Sequence, residues 1–577
     1  MTICKGLVLA TAAILLAACG QATDERKAPE AAPASIDRQA QLTQFNEDLH
    51  KHVAVLASDE FEGRAPATLG EEKTVSYLAD EFAKLGLVPG NNDSWFQEVP
   101  VVSATLTNKP SLEITGLESP LRFTQGEDLM VWSKRETPTV SLESSQLVFA
   151  GYGIVAPEYE WNDYQGLDVK GKTVVVLVND PGYATQNAEL FNGNAMTYYG
   201  RWTYKYEEAA RQGAAGVLIV HETGAAGYPW EVVTGSWSGD QISLATENKG
   251  AARVAVEGWI SSDAASALFE AAGQDFEALK AAAGRADFAP VALDAQASTS
   301  LELTHKYSQS RNVLAMIPGH KRSDEVVVYM AHWDHLGKKP GADGQDVIFN
   351  GAVDNATGTS ALLALARSFM AVEASLERSI LFVAVTAEES GLLGSAYYSQ
   401  NPVFKPYKTV GGINMDAMNV NGPMDDVVVI GYGASQMQDL LAEAAAKQNR
   451  KLVREPTPEK GYFYRSDHFN LSKVGVPVIY AEGGQEHREH GREYGVEQSA
   501  DYGKHRYHKP ADEYDANWDL RGAAEDTQLY FDVGLALATS DIYPRWAPMN
   551  EFQGVRQASV EACLAAGERR CPPKAAK

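Results

Sequence analysis

From about residue 301 the chain alternates short apolar runs with longer stretches of mixed polarity. The runs at 326–329, 380–385, 410–413, 427–430 and 476–480 have the length and composition of strands. The stretches between them read as helical, as at 359–370 after the small-residue loop 351–358. Strands alternating with helices imply an α/β fold, a mixed and largely parallel sheet sandwiched by helices. The pattern turns helical early, from Asp37. At 72–85, Val75, Leu78, Ala79, Phe82 and Leu85 fall on one helix face, and Gly86 is placed to cap the C-terminus.

The middle of the chain has a different texture. Residues 147–153 and 173–178 read as strands, 202–213 as a helix and 216–220 as a further strand. The stretch 140–290 therefore reads as a separate β-rich module, without a His/Asp/Glu cluster at ligand spacing. The expected division is 37–139 for the first part of the α/β domain, 140–290 for the inserted module, 291–545 for the second part and 546–577 for a C-terminal tail. A length of 577 residues, too great for one core, agrees with several domains. No fixed-period repeat is apparent.

Composition adds exclusions. Hydrophobic content of 45% and charged content of 22% are ordinary for a globular protein. A net charge of −26 leaves no basic stripe for phosphates, so no nucleic acid partner is expected. Gly431-Tyr432-Gly433 stands without phosphate-loop context, so no nucleotide cofactor is expected.

The first residues read as a leader rather than as fold. Lys5 precedes an apolar run at 7–18 that is too short to span a bilayer permanently. It ends in Leu16-Ala17-Ala18-Cys19-Gly20, which resembles the bacterial lipobox. The resemblance implies removal of a signal peptide 1–18, lipidation of Cys19 and a lipid anchor to the membrane. Gly20 in place of Asp implies an outer-membrane destination facing the periplasm; an ordinary secretory signal is the alternative. Residues 19–36, rich in Ala, Pro and charge, read as a flexible tether. In an oxidising compartment Cys563 and Cys571 are expected to form a small loop disulfide, with two free thiols as the alternative.

A sparse set of acids and histidines then stands out: His332 and Asp334, Asp354-Asn355, Glu388-Glu389, Asp416 and His508. Most of them lie just beyond an expected strand, where an open α/β sheet binds its ligands. Two histidines and three carboxylates can hold two Zn2+ ions that share a bridging carboxylate. One carboxylate is then left as a base, which is what metal-assisted hydrolysis requires.

Here the chain resembles the co-catalytic di-zinc aminopeptidase family, which includes glutamate carboxypeptidase II and the transferrin receptor. The match rests on Ala331-His332-Trp333-Asp334-His335, on residues 351–358 and on residues 387–395 with Glu388-Glu389. It continues through Asn414-Met415-Asp416, Arg465-Ser466-Asp467-His468 and residues 507–513 from Tyr507-His508. A lone H-x-D or E-E would be weak; these motifs standing in the family's order are specific. The resemblance implies a phosphorylase/hydrolase-like zinc-exopeptidase fold and peptide substrates. It places one zinc on His332 and Asp416, the other on Glu389 and His508, and Asp354 between them. It makes Glu388 the general base for a zinc-activated water and Tyr507 the residue that steadies the oxyanion. Asp334 would accept from the far nitrogen of His332 and fix its tautomer. The module at 140–290 resembles a protease-associated domain on residues 149–153, Asp163-Tyr164, 168–172 and 208–216. In related enzymes such a domain covers the active-site entrance.

Plainer roles suit other candidates. Asp467 and His468 read as a structural hydrogen-bond pair, because the ligand set is already full. The run 486–490 reads as a solvated loop, and the aromatic stretch 198–204 is equally suited to substrate contact or core. An aminopeptidase or dipeptidase acting on short peptides is the leading expectation. A carboxypeptidase of the same fold is an open variant, although little chain follows His508 to build the extra helical domain of that branch. A glutaminyl cyclase would hold a single zinc and commonly carries Trp where this chain has Tyr507. A non-catalytic receptor would have lost ligands that are all present here.

Overall fold

One strand, Val291–Ile317, 27 residues long, is shared by two sheets. Its first part pairs antiparallel with Thr139–Phe149 and Ser111–Thr115. Its last part pairs antiparallel with Phe96–Leu106 and Arg378–Val385. The computed structural model describes residues 36–341, 344 and 346–573. The expected leader 1–18, lipidated Cys19 and all but the last residue of the tether 19–36 lie outside the described residues. From Asp37 onward the chain forms one compact unit.

The sheet that bears the site continues from Arg378–Val385 to Arg322–His332, Thr409–Asn414 and Val478–Gly483, all mutually parallel. Asp426–Ile430 then pairs antiparallel and Lys451–Arg454 parallel at the edge. Side chains alternate between the two faces of a strand, and both faces are covered. On Arg322–His332, Val326, Val328 and Met330 pack with Tyr398, Leu471 and Val476. Tyr329 points the other way, its ring against Phe369 and Phe382 and its hydroxyl donating to the Tyr530 carbonyl. Helices Arg38–Leu56, Leu69–Leu85, Thr357–Met370 and Arg521–Thr539 gather on this second face; Leu393–Gln400 and His468–Lys473 lie on the first. Burying a Val, Leu or Phe side chain contributes roughly 1.5–3 kcal/mol, so a doubly covered strand is apolar along its whole length. Leu69–Leu85 ends at Gly86 in the left-handed region, φ +93°, as a C-cap requires.

The other sheet runs Leu121–Thr124, Ser111–Thr115, the shared strand, Thr139–Phe149, Thr173–Leu177, Gly216–Val220, Val256–Ile260 and Leu129–Trp132. Its strands begin at Ser111, ahead of the change in sequence texture near 140. In Ser111–Thr115 and Leu121–Thr124 only Leu112, Ile114 and Phe123 are buried, so these two strands lack a continuous apolar run. Helices Trp202–Arg211, Ser262–Ala271 and Phe276–Ala283 make this part mixed α/β. The aromatic stretch is core: Tyr198, Tyr199 and Tyr204 are buried, and Tyr198 packs edge-on to Phe469. The seam to the larger sheet is polar as well. Lys473 pairs with Glu207 at 2.8 Å, and the Tyr464 hydroxyl donates to the Met196 carbonyl. Cys563 and Cys571 are joined by a disulfide in the tail. Among the described residues no helix is long and apolar enough to cross a membrane.

Candidate active site

Parallel strands end on one edge, and the candidate residues collect there. His332 is the last residue of its strand, Glu388-Glu389 follow Arg378–Val385, and Asp416 follows Thr409–Asn414. Asp354 lies in the turn that feeds helix Thr357–Met370, and His508 follows helix Gly491–His505.

Two oxygens of Asp354 face two histidines. Oδ1 lies 3.2 Å from His332 Nε2, and Oδ2 lies 3.3 Å from His508 Nε2. Each histidine also meets a second carboxylate: His332 meets Asp416 at 3.2 Å and His508 meets Glu389 at 3.0 Å. His332, Asp354 and Asp416 bring ligand atoms within 4.8 Å of one another, and so do His335, Asp354 and Glu389. His335 is the residue that motif reading quoted without a role. Its Nδ1 stands 2.6 Å from Glu389 Oε1 and its ring meets His508 edge-on. A second histidine three residues after His332 was the available signal.

The supports are local and dense. Thr359 Oγ1 donates to the His332 carbonyl, and Ser466 Oγ donates to Asp416 Oδ2 at 2.6 Å. Asp512 accepts the backbone N–H groups of Val353 and Asp354, which ties the His508 segment to the Asp354 turn. The Asp354-Asn355 peptide is cis. Gly351 must be glycine: at φ +53° a Cβ would stand 2.3 Å from the Asp354 carbonyl oxygen and 2.4 Å from the His335 ring. Arg64 is buried beneath these loops and donates to the carbonyls of Leu56, Trp333, Asn350 and Gly351 at 2.6–2.8 Å. A lone arginine far upstream gives no sequence signal for that task.

Three expectations are corrected. His332 Nδ1 faces the backbone carbonyl of Asp334 at 3.1 Å, whereas its distance to the carboxylate is 3.9 Å. The Asp334 carboxylate instead accepts the Glu388 N–H at 3.0 Å, so it positions the acid pair. Asp467 and His468 are not a pair: Asp467 accepts from Ser395 Oγ, and the His468 ring lies against Phe463 and Tyr480. Within 486–490, His487 is buried and accepts the N–H groups of Glu489 and His490, so this loop is braced rather than simply solvated.

The site concentrates negative charge in a dry place. Burial pushes Glu388 well above the usual carboxylate range; His332 opposes this, and Asp416 and Glu389 add to it. Burial would lower His508, but hydrogen bonds to Asp354 and Glu389 push it up to about 10. Burial and the neighbouring Asp354 would raise Glu389, yet His335 and His508 bring it down to about 2. Beside the site opens a cavity of about 420 Å³, lined by Asp354, Glu388, Asp416, Tyr507 and His508 among others. The Tyr507 ring stacks on His508, centroids 3.9 Å apart. A second cavity of the same volume lies at the seam, lined by Tyr159, Met196, Tyr432, Arg454 and Glu551. No candidate metal ligand lines it.

Known proteins are similar to this chain. Residues 312–532 match the family model described as Peptidase family M28. Over 109 residues the chain is 34% identical to the aminopeptidase YwaD of Bacillus subtilis (strain 168), covering 18% of this chain and 21% of that protein. The match thus spans only about a fifth of that curated relative's length. Among solved structures, an aminopeptidase from Aneurinibacillus sp. strain AM-1 aligns over 87% of this chain and 96% of its own, at 18% identity and a TM-score of 0.47. A Peptidase M28 precursor from Shewanella amazonensis SB2B aligns over 93% and 99%, at 16% identity and a TM-score of 0.39. His332 to His508, and every candidate between them, fall inside the stretch that matches the peptidase family M28 model.

Proposed function

We propose that the chain is a zinc-dependent exopeptidase, an aminopeptidase that removes N-terminal residues from short peptides. The observation that carries this reading is Asp354 standing between two histidine–carboxylate pairs at the C-terminal edge of a parallel sheet. The donors fit two zinc ions. They are imidazole nitrogens and carboxylate oxygens gathered about Asp354. His332 and Asp416 would hold one ion, Glu389 and His508 the other, with Asp354 bridging. Zinc bound there would supply Lewis acidity and lower the pKa of water toward 7.

The chain's own groups do the rest. Glu388 lines the cavity and belongs to neither ligand group, so it is free to accept a proton from the attacking water and return it to the leaving amine. Asp334 fixes the backbone of Glu388, and the hydroxyl of Tyr507 donates to the developing oxyanion. The acid-rich surroundings suit a free α-amino group and disfavour a substrate carboxylate. The seam contacts of Met196 and Glu207 with the 458–473 segment support a covering role for the inserted, protease-associated-like module. The lipobox-like leader supports export and anchoring through Cys19 to the outer membrane; mass spectrometry finding an unmodified Cys19 in the mature protein would refute that.

Hydrolysis of aminoacyl-p-nitroanilides and N-acetylated peptides, before and after chelation and zinc add-back, tests the reading. Zinc-restored cleavage confined to free-amine substrates is expected. Cleavage of blocked peptides from their carboxyl end would move the enzyme to the carboxypeptidase branch.

A further inference from the structure

Two carboxylates in the active-site cavity have no part in holding metal. Glu455 and Glu482 line it together with Met418, Val428, Ile430 and Tyr462. Glu455 is 9% exposed; its Oε1 accepts the Gly431 N–H at 2.9 Å, and its buried Oε2 has no hydrogen-bond partner. Glu482 accepts only the Tyr480 hydroxyl, at 2.8 Å. Neither has an ion pair among the described residues. Charges acting on them include other acids: Glu459 on Glu455, and Asp416, Glu455 and Asp526 on Glu482. The two arginines of the cavity are engaged elsewhere. Arg465 lies over the Tyr462 ring, and Arg506 pairs with Asp501 at 3.5 Å.

Leaving a carboxylate desolvated without a counter-charge is costly, and a cation that arrives with its own hydrogen-bond donors removes the cost. Met418, Val428 and Ile430 give the cavity an apolar wall beside these acids, Val428 directly opposite Glu482 in the sheet. Such a channel accepts a long alkyl stem that ends in a positive head. A neutral apolar side chain would fill the walls and leave both carboxylates without a counter-charge.

Resting on the aminopeptidase reading, we propose that this part of the cavity is the side-chain subsite, and that it selects an N-terminal Lys or Arg. Met418, Val428 and Ile430 take the stem, and Glu455 and Glu482 take the ammonium or guanidinium head. The subsite begins beside Asp416, so one bound residue would present its backbone to the metal ligands and its side chain to the two acids.

The test compares kcat/KM of the zinc-loaded full chain on Lys-, Arg- and norleucine-p-nitroanilide. It is repeated with Glu455→Gln and Glu482→Gln, which keep shape and remove charge. Isothermal titration of L-lysinamide against L-norleucinamide reads binding apart from turnover. Hydrogen bonds to charged groups of this kind are each worth about tenfold or more. The expected results are Lys and Arg favoured over norleucine by at least about tenfold, and a Lys-to-norleucine ratio that falls about tenfold in either variant. Norleucine cleaved as well as Lys, or a ratio unchanged in both variants, overturns the inference and leaves the peptidase reading intact. If nothing is cleaved yet lysinamide binds better, the subsite stands and the peptidase reading falls. If lysinamide binds no better, the subsite falls as well.

Discussion

Replacing Arg64 with Met tests how the site is held. The Arg64 side chain spends its Nε–H on Trp333, Nη1 on Leu56 and Asn350, and Nη2 on Gly351, all backbone carbonyls at 2.6–2.8 Å. Burial lowers its pKa to about 10 against the pull of Asp512, Asp334, Asp354 and Glu389, so it stays charged at neutral pH. A hydrogen bond to a charged group contributes roughly 1.5–3 kcal/mol. Four such values cannot be summed, because the bonds share one side chain and are coupled. Losing the guanidinium leaves buried carbonyls without a donor, at about 1–3 kcal/mol for such a group, so a loss of about 3 kcal/mol is expected for Arg64→Met. Trp333 and Gly351 flank the metal-ligand candidates His332 and Asp354, so metal retention should fall with stability. Arg64→Lys keeps the charge but not the fork, and belongs between Met and wild type. Urea unfolding of the three proteins, with zinc content measured after desalting, reads both effects. A loss under about 1 kcal/mol with full zinc content would refute the claim that this guanidinium organises the loops.

Other expectations are narrower. Glu388→Gln should keep its metal and lose at least about 100-fold in kcat, and a near-wild-type rate in a peptide assay would remove it as the base. His335→Phe should weaken zinc affinity by about 10–100-fold, measured by competition with a chelator, since the ring steadies Glu389. Burial pulls His468 from 6.5 down to about 3. The unfolded chain therefore binds the extra proton first. This contribution to stability is intact above pH 6.5 and is lost as pH falls toward 3, by up to about 1.4 kcal/mol per pH unit. Urea midpoints at neutral and acidic pH should show a shallower decline for His468→Phe, and parallel declines would contradict the assignment.

What could be read in the chain follows from how each residue is determined. Arg378–Val385 and Asp426–Ile430 are buried on both sides, so their apolar runs announce strands without help from tertiary context. The candidate ligands follow such strands closely, and their order carries the family resemblance. The shared strand Val291–Ile317 is different. It lies at the join of two sheets, alternates buried Leu293, Ala295 and Ala297 with exposed positions, and its longest apolar run is 313–317. Arg64 acts through contacts that no local pattern encodes, whereas His335 and Asp512 stand within the motifs but take their roles only from folded contacts with Glu389 and the Asp354 turn. Asp334 offers both a carbonyl and a carboxylate, and only the folded geometry shows that the carbonyl faces His332 while the carboxylate holds Glu388. Glu455 and Glu482 come from separate strand ends, so their shared cavity is visible only after folding.

The central claim is that Asp354 joins two metal positions. Elemental analysis of the zinc-loaded, desalted protein, beside His508→Ala, tests it most directly. Two zinc ions per wild-type chain and one in the variant are the predicted result. One ion or none in wild type, or an unchanged stoichiometry in His508→Ala, would contradict it.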